Sequence, residues 1–152
     1  VAQPYRDLGS GPSRPKIERL LVATLLEPPL REVETAAALA RAVGGSVCVL
    51  HVLEALMYSS AEMTELARRN PQTHPEASRK LAEAVRLVTT LGVSDAQGSI
   101  EYGIPAEIVV RYANSGRFDL LVLGNRGRSG GVHARALAES RIPVMNVPTG
   151  AR

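Results

Sequence analysis

The segment Leu121 to Gly131 reads LVLGNRGRSGG. Within it, Gly124, Asn125, Arg126, Gly127, Gly130 and Gly131 are of types that together can hold an anion. Glycine lets backbone N–H groups come close to a ligand and adopts positive φ without strain. A helix is expected to follow from about Val132, and its N-terminus adds partial positive charge. Arg126, Arg128 and Arg135 lie between Asp119 and Glu139, and no acid does. The same residues also suit a plain strand-to-helix turn with solvated arginines. Spacing alone leaves both readings open. The segment is not a Walker loop, because no Gly-Lys-Ser/Thr follows, and it is not the dinucleotide G-x-G-x-x-G.

The remaining chemically capable residues are scattered. His51 stands in an apolar run and reads as a hydrogen-bonded core or strand-end histidine. His74 falls in a polar connection, and His133 opens the last helix beside the glycine loop, where it can contact a phosphate. Ser129 is the only hydroxyl in that loop. Catalysis would need a nucleophile, a base and an orienting acid to converge, and the sequence offers no such set. The expectation is therefore a protein that is not an enzyme. Cys48 is the single cysteine, which rules out an internal disulfide and a multi-cysteine metal site. Between Val47 and Val49 it reads as a small, inert core residue.

A regular fold must position these groups. The 152 residues suit one domain. With one Phe and no Trp, the core has to be aliphatic. A formal charge of +3 is too small an excess to argue for nucleic acid, and no aromatic platform accompanies it. No apolar run reaches the roughly 20 residues of a membrane span, and the N-terminal residues hold no signal-peptide apolar segment. The expected location is the cytoplasm, with neither nucleic acid nor membrane as partner.

Residues 1–15, with three prolines and two glycines, read as a flexible tail, and 16–149 as the domain. Strands are predicted over Ile17–Leu26, Ser46–Leu53, Gln97–Tyr102, Asp119–Leu123 and Pro143–Val147. Helices are predicted from Leu30 to the Gly44-Gly45 stop, over Pro75–Leu91, over Ala106–Asn114 and over Val132–Ser140. The first helix should bury Val33, Ala36, Ala37, Ala40 and Val43. Glu54 to Thr73 reads as a mobile connection with helical pieces over Ala61–Arg69. Near-continuous apolar strands alternating with helices imply an α/β fold: a Rossmann-like open sheet of five parallel strands with helices on both faces. Ligands bind such sheets beyond the carboxyl ends of the strands, and the glycine loop leaves one of those ends.

The stretches ERLLVA, ALARAVGGSVCVLHVLEA, GIPAEIVVRYANSGRFDLLVLGNRGRSG and RIPVMNVP occur in that order. Together they resemble the universal stress protein family over Ile17 to Pro148. The resemblance implies the strand order 3-2-1-4-5. It also implies a homodimer joined through the last strand (Pro143, Val144, Met145, Asn146 and Val147). Many family members bind ATP and others do not.

The family's nucleotide binders place an Asp after the first strand, in a V-D-x-S/T context, where this chain has Leu25. Their G-x2-G-x9-G-S/T pattern is matched by Gly124 and Gly127, but its second half falls on Gly130-Gly131. Only Arg128 and Ser129 intervene, so about seven residues are missing, roughly two helical turns. The resemblance puts Ala23, Thr24 and Val52 on the side of the nucleotide base.

The expected function is a non-catalytic regulatory or stress-response domain. It requires no cofactor, binds ATP weakly or not at all, and acts with a regulatory protein partner of unknown identity. The alternative is a working ATP/AMP switch built on the Gly124–Gly131 loop, with slow ATP hydrolysis. A third class, a relative of the N-type ATP pyrophosphatases, would need a phosphate loop after the first strand, and TLLEPP is not one.

Overall fold

The computed structural model describes residues 16–54, 75–125 and 131–149. The expected tail over 1–15 and the connection over 55–74 lie outside the described residues, as does the centre of the glycine loop, 126–130.

Five strands form one parallel sheet in the order β3-β2-β1-β4-β5. They are β1 (Arg19–Ala23), β2 (Ser46–Glu54), β3 (Ala96–Gly103), β4 (Leu120–Asn125) and β5 (Val144–Pro148). The order reverses at β1, which pairs with both β2 and β4. Four helices stand among the described residues: α1 (Arg31–Val43), α2 (Pro75–Thr90), α3 (Pro105–Ala113) and α4 (Gly131–Glu139). No described helix is long and apolar enough to cross a membrane.

Side-chain alternation along the central strands divides the core in two. Leu20, Val22, Val47, Val49, Leu120 and Val122 face Val33, Ala36, Ala37 and Ala40 of α1 and Leu81, Ala84 and Val88 of α2. Leu21, Leu50, Leu121 and Leu123 face Ile108, Val109 and Ala113 of α3 and Ala136 of α4. Both faces of the sheet are thus covered. This explains why the strands read as unbroken apolar runs.

The first strand is shorter than the predicted Ile17–Leu26. The Thr24 hydroxyl accepts the Leu26 N–H at 3.0 Å, a local bond that curls the chain out of the sheet. Leu26 sits at φ 58°, yet is 3% exposed. A leucine in the left-handed region costs about 1–2 kcal/mol, which its burial in the α1-side core offsets.

The predicted fifth strand began at Pro143. The proline lies just outside β5, although its carbonyl accepts the Leu121 N–H at 2.9 Å. Val43, expected in the core, is half exposed. It is the last residue of α1, and Gly44 in the left-handed conformation turns the chain away there.

Cys48 is half-buried against the α3-side core, as expected for a small packing residue. Burial pushes its thiol up, and Arg117 acts in the opposite sense.

Candidate functional site

The carboxyl ends of β1, β2 and β4 enclose a cavity of about 480 Å³ at the point where the strand order reverses. Ligand pockets occupy about 300–1,000 Å³. Leu50, Val52, Leu123, Val109 and Val132 give it an aliphatic floor. Thr24, Glu32, His51, His133 and Thr149 supply polar groups, while Glu27 and Glu54 add carboxylates. No Lys or Arg is among the described residues of the wall.

The polar groups are joined by short bonds. Thr24 is 7% exposed, and its hydroxyl donates to Glu32 Oε1 at 2.6 Å. Glu32, in the first turn of α1, is 3% exposed, and its Oε2 has no hydrogen-bond partner among the described residues. Thr149 Oγ1 and His133 Nε2 are likewise buried without one. His51 Nδ1 lies 2.9 Å from the Thr24 carbonyl oxygen. With the carbonyl as acceptor, Nδ1 carries the proton. His51 therefore has the hydrogen-bonded strand role read from the sequence, and it also lines the cavity.

Gly124 packs between these groups. A Cβ there would lie 3.0 Å from Glu32 Cδ, 3.1 Å from Glu32 Oε2 and 3.1 Å from Thr149 Cγ2. Its lack of a side chain therefore serves close packing against a carboxylate. Asn125 ends β4 and accepts the Thr149 N–H at 2.9 Å through its carbonyl. Gly131 opens α4, one residue before the expected start, and the next two residues, Val132 and His133, line the wall. Arg126, Gly127 and Gly130 lie outside the described residues.

Ala23, Thr24 and Val52, assigned to the base side by resemblance, all line the cavity. Leu25, which the resemblance sets at the family's Asp, is 56% exposed on the same wall. The sequence reading missed Glu32 and Thr149. Glu32 could have been found, because it precedes Ala36 and Ala40 at intervals of four and so falls on the buried stripe of α1. A carboxylate on such a stripe needs a partner or a purpose. Thr149 follows a strand end and carries no signal of its own.

No metal-binding group of three or more His, Cys, Asp or Glu side chains occurs among the described residues. The opposite end of the sheet is tied by Arg19 and Asp119. The Asp119 carboxylate accepts N–H groups from Arg19 Nε and Nη2 and the backbone amides of Glu18 and Arg19.

Known structures share this fold. A universal stress protein solved in complex with cAMP superposes with a TM-score of 0.71 at 22% identity, covering 88% of this chain and 98% of that one. The universal stress protein from Archaeoglobus fulgidus in complex with dAMP gives 0.60 at 21%, covering 88% and 98%. A universal stress protein family protein from Arabidopsis thaliana with AMP bound gives 0.57 at 20%, covering 88% and 93%. The chain matches none of the curated proteins. The sequence model of the Universal stress protein family matches residues 16–148, nearly all of the described fold. The chain belongs to the universal stress protein family.

Proposed function

We propose that this chain is a non-catalytic regulatory domain that takes a small adenine-type ligand in the cavity at the ends of β1, β2 and β4 and binds ATP weakly. The cavity carries the reading: its aliphatic floor suits a flat base and its size suits a nucleoside or mononucleotide. Structural neighbours that hold cAMP, dAMP and AMP support the ligand class. Ala23, Thr24 and Val52 form the base side of this proposed site. Leu25 at the acid position supports weak ATP binding, because a hydrogen bond to a charged group contributes about 1.5–3 kcal/mol.

Thr24 bonds to Glu32 and Leu26, and His51 to the Thr24 carbonyl, so these side chains are engaged in holding the fold together. That arrangement supports binding rather than turnover. We infer a cytoplasmic homodimer joined through β5, an edge strand that among the described residues pairs only with β4, acting on a regulatory protein partner. The second reading is an ATP/AMP switch with phosphates held by Gly124, Asn125, Arg126, Gly127, Gly130 and Gly131. The position of Gly131 at the start of α4, next to the cavity wall, favours it.

Calorimetry separates the two. AMP should bind measurably, while ATP binds no tighter than about 100 µM and is not hydrolysed. A low-micromolar Kd for ATP, or steady phosphate release, would establish the switch instead.

A further inference from the structure

We propose that the cleft at the amino-terminal end of the sheet is a second binding site, for a small zwitterion of the free α-amino acid class, with the ligand carboxylate on Arg117 and its ammonium on Asp95. The proposal is independent of the cavity at the other end of the sheet.

The cleft holds about 270 Å³, just under the range of pockets for drug-sized ligands, so it suits a smaller molecule. Strand register builds its floor. Cys48 pairs with Gln97, and alternation therefore sets Ser46 and Cys48 of β2 beside Asp95 and Gln97 on the face that α3 covers. The turn from α3 into β4 closes another side with Arg117 and Phe118.

The first observation is a guanidinium fixed in advance. Arg117 lies 5.4 Å from the ring centroids of both Tyr112 and Phe118, and the two rings stack 6.5 Å apart. Its Nε also points to Ser115 Oγ at 3.5 Å. It stands near enough to the Cys48 thiol to oppose the effect of burial there. No carboxylate pairs with it among the described residues. A group already held in place gives up less freedom on binding, and the guanidinium fork matches a carboxylate.

The second observation is an acid on the same wall. Asp95 is exposed and makes no ion pair among the described residues, and the side chains of Ser46 and Gln97 are likewise without a bond there. Arg19, the other cation of the cleft, is engaged by Asp119. Opposite charges thus line one small space without meeting, because the two rings hold Arg117 back. A molecule with both charges complements them. A plain anion is repelled by Asp95 and a plain cation by Arg117. Cys48 and Phe118 offer apolar contact to a short side chain.

The test is a nuclear magnetic resonance titration of the full chain with L-valine, isovalerate and isobutylamine. The last two keep the branched carbon chain and only one of the two charges. L-Valine should shift the amide signals of Cys48, Gln97 and Phe118 saturably, with a Kd of about 1 mM, and leave those of Val52 and Val132 in the other cavity unmoved. Isovalerate and isobutylamine should each bind at least roughly tenfold more weakly. Arg117→Gln and Asp95→Asn should each weaken L-valine by roughly tenfold. Both side chains are exposed, so the variants should fold. If one does not, the wild-type series decides alone. The proposal is overturned if L-valine gives no saturable shift at millimolar concentration, if either singly charged compound binds as tightly as L-valine, or if neither folded variant weakens it.

Discussion

Thr24 and Glu32 share a 2.6 Å hydrogen bond, hydroxyl to carboxylate, with both side chains more than nine-tenths buried. The bond fastens the exit of β1 to the first turn of α1. The same hydroxyl receives the Leu26 N–H, so one side chain sets both the turn and the position of the acid.

Removing that hydroxyl should be costly. Thr24→Val leaves Glu32 Oε1 without its described donor and frees the Leu26 amide. The expected loss is about 2–4 kcal/mol in urea unfolding, because an uncompensated buried charge costs more than a deleted contact. Adding Glu32→Met to Thr24→Val should recover at least half of it. Equal stability of the single and double variants would show that Glu32 is not held by Thr24.

Gly124→Ala should destabilise the fold by about 1–3 kcal/mol. The new methyl would crowd Glu32 Cδ, Glu32 Oε2 and Thr149 Cγ2, all on buried side chains. Thermal unfolding of the purified variant measures this. An unchanged Tm would mean that β4 and α1 can part freely at this point.

Asp119 sets an acid-side dependence. The Arg19 hydrogen bond is the main cause, with the Glu18 and Arg19 amides adding to it, of a carboxyl held below the usual carboxylate range. Its folded-state value lies below its unfolded one. Its contribution is therefore complete above about pH 4 and is lost as pH falls through the depressed folded value. Asp119→Asn should cost about 1–2 kcal/mol at pH 7, since the pair is partly exposed. The gap between variant and wild type should narrow progressively as pH falls below about 4. A gap that does not narrow would assign the loss to packing.

The proposed dimer is checked at β5. Val144 is half-buried on a strand with one neighbour, and an apolar strand with an open edge invites pairing. Wild type should sediment as a dimer at micromolar concentration, and Val144→Lys as a folded monomer with an intact far-ultraviolet spectrum. A monomeric wild type would remove β5 as the interface.

Much of this fold could be read from the residues because each layer repeats its own period. The spacing of Leu81, Ala84 and Val88 places α2 against the sheet, and VCVL and LLVL announce strands covered on both sides. Boundaries were legible only where a backbone breaker set them. Gly44 marked the end of α1, but Thr24 ended β1 through a side-chain bond that no periodicity encodes. The cavity was half legible. Gly124, Gly131, Ala23, Thr24 and Val52 fall near it because the order of elements puts strand ends there. Glu32 was hidden because a glutamate in the first turn of a helix ordinarily complements the helix dipole in solvent. Its spacing to Ala36 and Ala40 is the one sequence signal that this glutamate faces inward, and the packing of Gly124 against it shows that it does.

The central place of β1 also bears on how the chain comes to be folded. Arg19, at its start, bonds to Asp119 across 100 residues of sequence, and Leu20 pairs with Leu120 in the adjoining ladder. The middle of the sheet therefore cannot close until β4 has left the ribosome. At about 5–20 residues per second, the apolar edge formed by Leu20, Leu21 and Val22 waits several seconds for its second neighbour. Such distant pairing slows folding relative to a helical bundle of equal size. During that interval the strand is the part of the nascent chain most in need of protection from other chains.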